Sequence, residues 1–300
     1  MKANYQSDGV ISLERSRVAD YLTLTKPELT FLSILTAVAG AYLGGEHNLP
    51  VASILLVHVF IGTLLVGSGA GTLNQYIERN YDALMKRTEN RPLPSGRLSE
   101  GEALLFGLAL SIGGVAYLVL TTNLLTAVLG VLTLCSYLFL YTPLKRITWY
   151  STIIGGIPGA LPPVMGWVAV RGELSVEPGI LFAILFFWQM PHFFSLAWMY
   201  RKDYERAGFP MLPVLDRNGL RTGVQMLGHC IGLIIASIIL WDVARLGSVY
   251  FFGSILLGIL FLACGVDFLL SRSNASARRM FFASLAYLPA LLAVVVLDSI

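Results

Sequence analysis

The chain has 300 residues, of which 13% are charged and 56% are apolar. Soluble globular proteins carry about 25% charged residues, so the charge here is too sparse to cover a soluble surface. The formal net charge is only +3, and we expect no nucleic acid partner. The composition therefore predicts a protein that resides in the lipid bilayer.

Long stretches without a charged side chain indicate the membrane spans. A helix that crosses a hydrocarbon core of about 30 Å needs about 20 mainly apolar residues. The uncharged stretches are 29–45, 47–77, 103–144, 147–170, 178–200, 222–241, 246–266 and 280–297. The stretch 103–144 is long enough for two helices, with a tight turn at Thr121-Thr122-Asn123. We predict an all-α integral membrane protein with nine transmembrane helices.

The basic residues predict the orientation of these helices, because Lys and Arg beside the spans favour the cytoplasmic side. With a cytoplasmic N-terminus, only Arg171 and Arg245 of the 21 basic residues fall outside, which leaves 19 inside. We expect a cytoplasmic extension at residues 1–20 and a single membrane domain at 21–300, with cytoplasmic loops at about 80–100 and 201–221. The N-terminus lacks an Arg/Ser-rich presequence, which favours a bacterial plasma membrane, with the C-terminus outside.

The first long cytoplasmic loop carries the strongest chemical signal. Asn74, Glu78 and Asp82 are spaced i, i+4 and i+8, so a helix that continues to Asp82 places them on one face; we call them the polar row. Oxygen donors suit Mg²⁺, which typically bridges one or two carboxylates to substrate phosphates. Cations for the same phosphates follow in Lys86, Arg87 and Arg91. The alternative is a solvated helix end with an ion pair between Asp82 and Lys86.

Two further clusters on the same predicted side add charged residues. Lys145 and Arg146 follow the fourth span, and Lys202 and Asp203 follow the sixth. Three clusters at one membrane face predict a diphosphate site covered by loops. The candidate catalytic residues are Asn74, Glu78, Asp82, Lys86, Arg87, Arg91, Lys145, Arg146, Lys202 and Asp203.

Several strings in the chain resemble the intramembrane prenyltransferases of the UbiA superfamily, and within it the haem-modifying branch. The matching strings are 26–27, 74–93, 141–146, 155–167, 188–193 and 203–214. The resemblance implies nine helices around a central cavity, with acidic motifs on two cytoplasmic loops that hold a Mg²⁺-diphosphate. It implies Asn74, Glu78, Asp82 and Asp203 as the Mg²⁺ ligands.

Two positions depart from the pattern of the superfamily. Glu78 stands where the first motif usually has Asp, which keeps the carboxylate but lengthens its reach. Asp203 stands without a second Asp four residues on. This sparser second motif resembles the haem-modifying branch, and it leaves direct metal ligation by Asp203 open.

The implied haem substrate makes the histidines informative, because neutral imidazole is the usual axial ligand of haem iron. His192 lies about two turns from the cytoplasmic end of the sixth span, with Trp188 on the same helical face. The candidate residues for a haem or prenyl cavity are Tyr141, Trp188, Gln189 and His192. A hydrogen-bonded packing role for His192 is the alternative, and His229 is a second candidate for a haem contact.

The run 155–167 interrupts one predicted span with Pro158, Gly159, Pro162 and Pro163. Irregular backbone at membrane depth is tolerated where it is buried in protein or lines a cavity. We expect this run to shape the cavity wall with irregular backbone. The alternative is a simple proline kink between packed helices.

The resemblance implies a Mg²⁺-dependent transfer of a farnesyl group from farnesyl diphosphate to a vinyl group of haem b, with addition of water. The products are then haem O and diphosphate. Implied partners are farnesyl diphosphate, haem b, the lipid bilayer, and a downstream haem-modifying enzyme or a haem–copper oxidase assembly. Two alternatives stay open: a prenyltransferase that acts on an aromatic or quinone precursor, and a membrane transporter without enzymatic activity.

Overall fold

The computed structural model describes residues 16–45 and 49–298, and the regular structure in these ranges is helical. The helices are α1 (Arg17–Leu24), α2 (Pro27–Gly44), α3 (Leu49–Asp82), α4 (Glu100–Thr121), α5 (Leu124–Cys135), α6 (Thr142–Leu144), α7 (Ser151–Arg171), α8 (Val176–Met199), α9 (Arg201–Arg206), α10 (Leu212–Leu215), α11 (Leu220–Val243), α12 (Ser248–Ser271) and α13 (Asn274–Asp298). A π-helical turn at Ser136–Tyr141 joins α5 to α6.

The predicted number of membrane spans is confirmed. Within the described residues, nine helical segments are long and apolar enough to cross a bilayer. One span combines α5, the π-helical turn and α6, and the others are α2, α3 from Ile54, α4, α7, α8, α11, α12 and α13. The predicted turn separates α4 from α5, where the Asn123 side chain accepts a hydrogen bond from the Thr126 backbone N–H at 2.9 Å. This N-cap satisfies a backbone donor that the start of a helix otherwise leaves unpaired.

Helices α7 and α8 form the centre of the bundle. In their most apolar windows, 67% and 61% of the residues are buried, whereas no other span exceeds 44%. Helix α7 packs against α2, α5 and α8, and α8 packs against α7, α11 and α13. Helices α4 and α12 pack against the neighbours of this pair, so they lie further from the centre of the bundle.

The prediction of irregular backbone at 155–167 is wrong, because α7 is a continuous helix with Pro158, Pro162 and Pro163 inside it. Proline removes one backbone hydrogen bond and crowds the preceding turn, and close packing against α2 compensates. A Cβ at Gly166 would lie 1.7 Å from the Ala37 carbonyl oxygen, so the two backbones touch where only glycine fits. The run still contributes to the cavity wall through Pro158 and Gly159.

The predicted domain boundary at residue 20 falls inside α1. Asp20 is 2% exposed, and its carboxylate accepts a hydrogen bond from Arg97 Nε at 2.9 Å. Residues 17–20 therefore pack with the membrane domain. Residues 1–15 of the predicted extension lie outside the described residues.

The two predicted long loops lie over the end of α3 and pack against each other. One connects α3 to α4 through residues 83–99, and the other connects α8 to α11 and contains α9 and α10. Met85 of the first connection packs with Tyr204, Phe209 and Met211 of the second in one buried apolar cluster. We call this end of the bundle the polar end, because the polar row lies beneath it.

Candidate functional site

The polar row lies on the last two turns of α3. The helix continues without a break to Asp82, as the spacing predicts, so the three side chains share one face. Asn74 is 1% exposed, Glu78 2% and Asp82 1%. The alternative interpretation of this segment as a solvated helix end is therefore wrong. Buried polar side chains need hydrogen-bond or ion-pair partners.

Each member of the row contacts a cation from elsewhere in the chain. Lys145 Nζ lies 3.1 and 3.2 Å from the two carboxylate oxygens of Glu78. Arg91 Nη1 donates to Asp82 Oδ2 at 2.7 Å. Lys26 Nζ donates to Asn74 Oδ1 at 2.5 Å. The alternative ion pair of Asp82 with Lys86 is thus replaced by the pair with Arg91, since the chain turns back after Asp82.

Lys26 occupies a strained position at the start of α2. Its φ of 48° is in the left-handed region, which is uncommon for a residue with a Cβ and is often found at functional sites. Burial, followed by the nearby Arg91 guanidinium, lowers the pKa of Lys26 to about 7. This lowered pKa is the expected response of an ammonium group to a desolvated site that already holds other cations.

Lys145 differs from Lys26 because it has a direct carboxylate partner. Burial lowers the pKa of Lys145, but the Glu78 carboxylate and the Tyr141 and Tyr204 hydroxyls together raise it more. The resulting pKa of Lys145 lies above its ordinary value, so this side chain is a permanent cation in the site.

The other predicted cations take different positions. Arg87 places its guanidinium 5.3 Å from the centroid of the Tyr200 ring. Arg146 donates to the Ile77 carbonyl oxygen at 3.1 Å, so its charge is directed at backbone. Lys86 and Lys202 are exposed. Of the predicted cations, the structure thus brings Arg91 and Lys145 into contact with the polar row.

Asp203 is not assembled with the row into a metal site. Its carboxylate lies 3.6 Å from Arg206 Nη1, one turn further along α9. Among the described residues, no group of three or more His, Cys, Asp and Glu side chains is arranged to hold a metal ion. The three oxygen-bearing groups of the row remain as candidate donors, of which one is an amide.

A cavity of about 220 Å³ opens beside the row and extends between α2, α3, α7 and α8. Its wall includes Lys26 and Tyr141 and continues to His192. In the described part of the chain, the row's own three side chains do not line this cavity. Lys26 is the partner of the row that reaches the cavity wall, so a basic group faces the cavity beside the row.

The π-helical turn orients two aromatic rings toward this cavity. Tyr137 and Tyr141 stack with ring centroids 5.4 Å apart, and both line the cavity. Thr142 follows them, and its hydroxyl accepts a hydrogen bond from Asn74 Nδ2 at 3.0 Å. Single π-helical turns are frequent at functional sites, and this one places aromatic rings and a partner of the polar row on neighbouring positions.

The predicted haem or prenyl residues Trp188, Gln189 and His192 also line the cavity. His192 Nδ1 lies 2.7 Å from the Ser284 hydroxyl, and its ring stacks on Phe281 at 4.7 Å between centroids. His229 is not part of the cavity wall in the described chain. It packs instead beside phenylalanine rings, such as Phe187 at 6.0 Å.

Gln189 is held by a close approach of α8 to α7. Its amide nitrogen donates to the Gly156 carbonyl oxygen at 2.7 Å. A Cβ at Gly159 would lie 2.2 Å from Gln189 Oε1, so glycine is required for the amide to sit there. Gln189 is consequently a positioned polar group in the cavity wall.

Two contributors to the site were not among the sequence candidates. Lys26 appeared only as part of a matching string, yet it contacts the row and lines the cavity. The available signal for Lys26 was its position directly before Pro27, because α2 begins at that proline and Lys26 therefore lies at the end of a span. No sequence feature pointed to Tyr137, because the orientation of its ring depends on the π-helical turn.

The charges at the polar end define what the site can bind. Lys26, Arg91 and Lys145 contact Asn74, Asp82 and Glu78, so three basic side chains face two carboxylates. Arg91 and Lys145 are already paired with the two carboxylates, so Lys26 is the additional basic group, and a bound anion would favour its charged form. A cationic end above an apolar, aromatic cavity suits an amphiphilic substrate with an anionic head and an apolar tail. The fold and this site therefore fit a membrane-embedded protein that binds such an amphiphile.

The comparisons with known proteins agree with this class. The model of the UbiA prenyltransferase family matches residues 33–286, and the chain belongs to this family. A protoheme IX farnesyltransferase of Solibacter usitatus is 47% identical over 290 residues, which cover 93% of this chain and 98% of that protein. A protoheme IX farnesyltransferase of Koribacter versatilis is 43% identical, and the match covers 97% of this chain and 95% of that protein.

Solved structures support the fold. A digeranylgeranylglyceryl phosphate synthase superposes with a TM-score of 0.78 at 17% identity, covering 94% of this chain and 98% of that one. A UbiA homolog from Archaeoglobus fulgidus, bound to DMAPP and Mg²⁺, gives a TM-score of 0.63 at 17% identity. The match covers 92% of this chain and 99% of that one. The predicted UbiA-like helical architecture is therefore confirmed.

Proposed function

We propose that this protein transfers a farnesyl group from farnesyl diphosphate to a vinyl group of haem b. Water adds in the same reaction, which gives haem O and diphosphate. The observation that carries the proposal is the cluster of Lys26, Arg91 and Lys145 around the polar row at one end of an aromatic cavity. Relatives at 47% and 43% identity over nearly the whole chain are named protoheme IX farnesyltransferase, which favours haem as the acceptor.

The cations account for recognition of the diphosphate head. Arg91 offers a planar guanidinium that can bind two phosphate oxygens at once, and Lys145 offers an ammonium group beside it. In the structure these side chains pair with Asp82 and Glu78. We infer that they turn toward the diphosphate when it enters, which exposes the two carboxylates to the same cavity.

The donor set of the polar row fits Mg²⁺. Two carboxylates and one amide are hard oxygen donors, and Mg²⁺ typically uses one or two carboxylates together with substrate phosphates. Asn74, Glu78 and Asp82 would hold the ion, and the homolog solved with DMAPP and Mg²⁺ supports its use. When bound, the ion neutralises charge on the departing diphosphate. Because Asp203 pairs with Arg206, we assign it no direct ligation.

The cavity wall supports the carbon chemistry. As the allylic C–O bond breaks, positive charge develops on the farnesyl group while the electron pair leaves with diphosphate. The ring faces of Tyr137, Tyr141 and Trp188 line the cavity and can stabilise that charge. An apolar wall also excludes water at this stage, which prevents hydrolysis to farnesol.

The acceptor end is proposed to lie at His192 and Gln189. The vinyl group supplies its electron pair to form the new C–C bond, and the resulting cation beside the pyrrole is captured by water. Gln189 and His192 are the polar groups that α8 presents to the cavity. They could orient the haem edge so that one vinyl group faces the farnesyl cation.

The membrane orientation follows the distribution of basic residues. We propose that the polar end faces the cytoplasm of a bacterial plasma membrane, with the N-terminus inside and the C-terminus outside. Farnesyl diphosphate would then enter from the cytoplasmic side. Haem O would pass to a downstream haem-modifying enzyme or a haem–copper oxidase assembly.

The test supplies purified protein in lipid nanodiscs with haem b, farnesyl diphosphate and Mg²⁺, and measures the porphyrin products by mass. We expect a product with the mass of haem O. The Asp82→Asn variant should lose it, whereas Asp267→Asn, which alters an exposed ion pair with Arg279, should retain it. Prenylation of an aromatic acid or quinone precursor in place of haem b would overturn the proposed acceptor. Undiminished product from Asp82→Asn would remove the row from the mechanism.

A further inference from the structure

A network of hydrogen bonds joins α8 to α13 beside the cavity. Ser284 of α13 is fully buried, and its hydroxyl donates to the Phe281 carbonyl oxygen at 2.5 Å. The same oxygen atom lies 2.7 Å from His192 Nδ1. The Ser284 carbonyl oxygen accepts a hydrogen bond from Trp188 Nε1 at 2.9 Å. One residue of α13 thus positions the Trp188 and His192 rings, which both line the cavity.

The network assigns the tautomer of His192. A hydroxyl has a single hydrogen, and in Ser284 it lies toward the Phe281 carbonyl, because two oxygen lone pairs would otherwise face each other at 2.5 Å. Ser284 Oγ must then accept from His192, so Nδ1 carries the proton. In a neutral imidazole the other nitrogen, Nε2, keeps the lone pair. No described residue provides Nε2 with a hydrogen-bond donor.

We propose that Ser284 is a positioning residue that holds His192 in the Nδ1–H tautomer, so that Nε2 accepts the proton of the water that adds to the haem-side cation. This inference rests on the proposed function and deepens it. It gives the water-addition step a group with the required chemistry: an unprotonated nitrogen on a ring that lines the cavity and is oriented by its hydrogen bond to Ser284.

The step balances without an oxidant or reductant. A lone pair of the water oxygen forms the new C–O bond at the cationic carbon. One O–H bond then breaks, its electron pair stays on oxygen, and the proton moves to Nε2. The imidazolium that forms stacks on Phe281 at 4.7 Å and lies beside Trp188 at 5.8 Å between centroids. Aromatic faces stabilise such a cation, while Nδ1–H remains bonded to Ser284.

The first measurement addresses the tautomer alone. Nitrogen-15 NMR of histidine-labelled protein in lipid distinguishes protonated from unprotonated ring nitrogens, and the His192→Asn variant identifies the His192 signals. We expect Nδ1 to be protonated in the wild type and both tautomers to appear in Ser284→Ala. The matched control is Ser254→Ala, because Ser254 is also buried and donates to a phenylalanine carbonyl, Phe251, at 3.1 Å. Protonation of Nε2 in the wild type would overturn the assignment.

The second measurement addresses the water step with farnesyl diphosphate and haem b. In Ser284→Ala we expect kcat for haem O to fall about 10-fold to 100-fold, which is less than the about 10²-fold to 10⁴-fold that a general base supplies, because Ser284 only positions the base. KM for farnesyl diphosphate should be unchanged. The share of farnesylated product that lacks one water should rise. Ser284→Thr keeps the hydroxyl and should restore the hydroxylated product, and Ser254→Ala should behave as the wild type.

The outcomes separate this inference from the proposed function. A full rate and an unchanged share of hydroxylated product in Ser284→Ala would overturn the role of Ser284. A loss of farnesyl diphosphate binding equal to the loss of kcat would show that the residue only supports folding. If the wild type makes no haem O at all, the proposed function and the water step both fail, whereas the NMR result still decides the tautomer.

Discussion

The ion pair between Glu78 and Lys145 can be used to separate folding from function. The two side chains are 3% and 10% exposed, and Nζ lies 3.1 Å from Oε1. At an effective dielectric constant of about 20, charges at this distance attract by about 5 kcal/mol. Removal of one partner leaves a buried charge without compensation, which costs about 3–5 kcal/mol. We therefore expect Glu78→Gln and Lys145→Gln each to lower the free energy of unfolding by about 3–5 kcal/mol.

The double variant Glu78→Gln/Lys145→Gln removes both charges together. We expect it to recover at least about 2 kcal/mol of the summed loss, because no unpaired charge remains. Its activity should stay absent, since it lacks both a cation for the diphosphate and a carboxylate of the polar row. Stability is measured by denaturant titration in lipid, and activity by the mass of the porphyrin product. The control is Arg279→Gln, whose exposed pair with Asp267 should cost about 1 kcal/mol or less.

Two results would contradict this reasoning. If the double variant recovers activity together with stability, Glu78 and Lys145 hold the fold and do not bind substrate. If the double variant is as unstable as the sum of the single variants, the two charges are not coupled. In that case the energy assigned to the buried pair is wrong.

Four further outcomes follow from the structure. Lys26→Gln should lower kcat/KM for farnesyl diphosphate about 10-fold to 100-fold, and an equal change in KM for haem b would contradict a role at the diphosphate. Gly159→Ala should displace the Gln189 amide, whose Oε1 would lie 2.2 Å from the new Cβ, and raise KM for haem b; Gly179→Ala, with open space around its Cβ position, should leave it unchanged. His192→Ala should weaken haem use but spare farnesyl diphosphate binding in a radioligand assay, and equal losses would mean a structural role. Chelation of divalent cations should abolish product formation and added Mg²⁺ should restore it, whereas full activity in chelator would exclude Mg²⁺ as the required ion.

The arrangement of the spans was predictable because it depends on local properties of the chain. The thickness of the hydrocarbon core sets the length of an apolar segment, and the long uncharged stretches of this chain have that length. The shared face of Asn74, Glu78 and Asp82 was equally predictable, since it depends only on the helical repeat. The structure confirms that α3 continues to Asp82.

The partners of these residues could not be predicted, because partner choice depends on which helices are neighbours. Asp82 pairs with Arg91 and not with Lys86, since the connection after α3 turns back over the helix end. Lys145 reaches Glu78 across 67 positions of sequence. The expected irregular backbone at 155–167 became a regular helix, because tight packing of α7 against α2 supports its prolines.

The sequence by itself determined a nine-span membrane protein with a polar row at the end of the second span, since both features follow from hydrophobic length and helical period. Only the tertiary structure decided which cations neutralise the row, that Lys26 joins them, and that Ser284 orients His192 from 92 positions away. These contacts are set to within a few tenths of an ångström by the packing of distant helices. No local pattern in the chain encodes such distances.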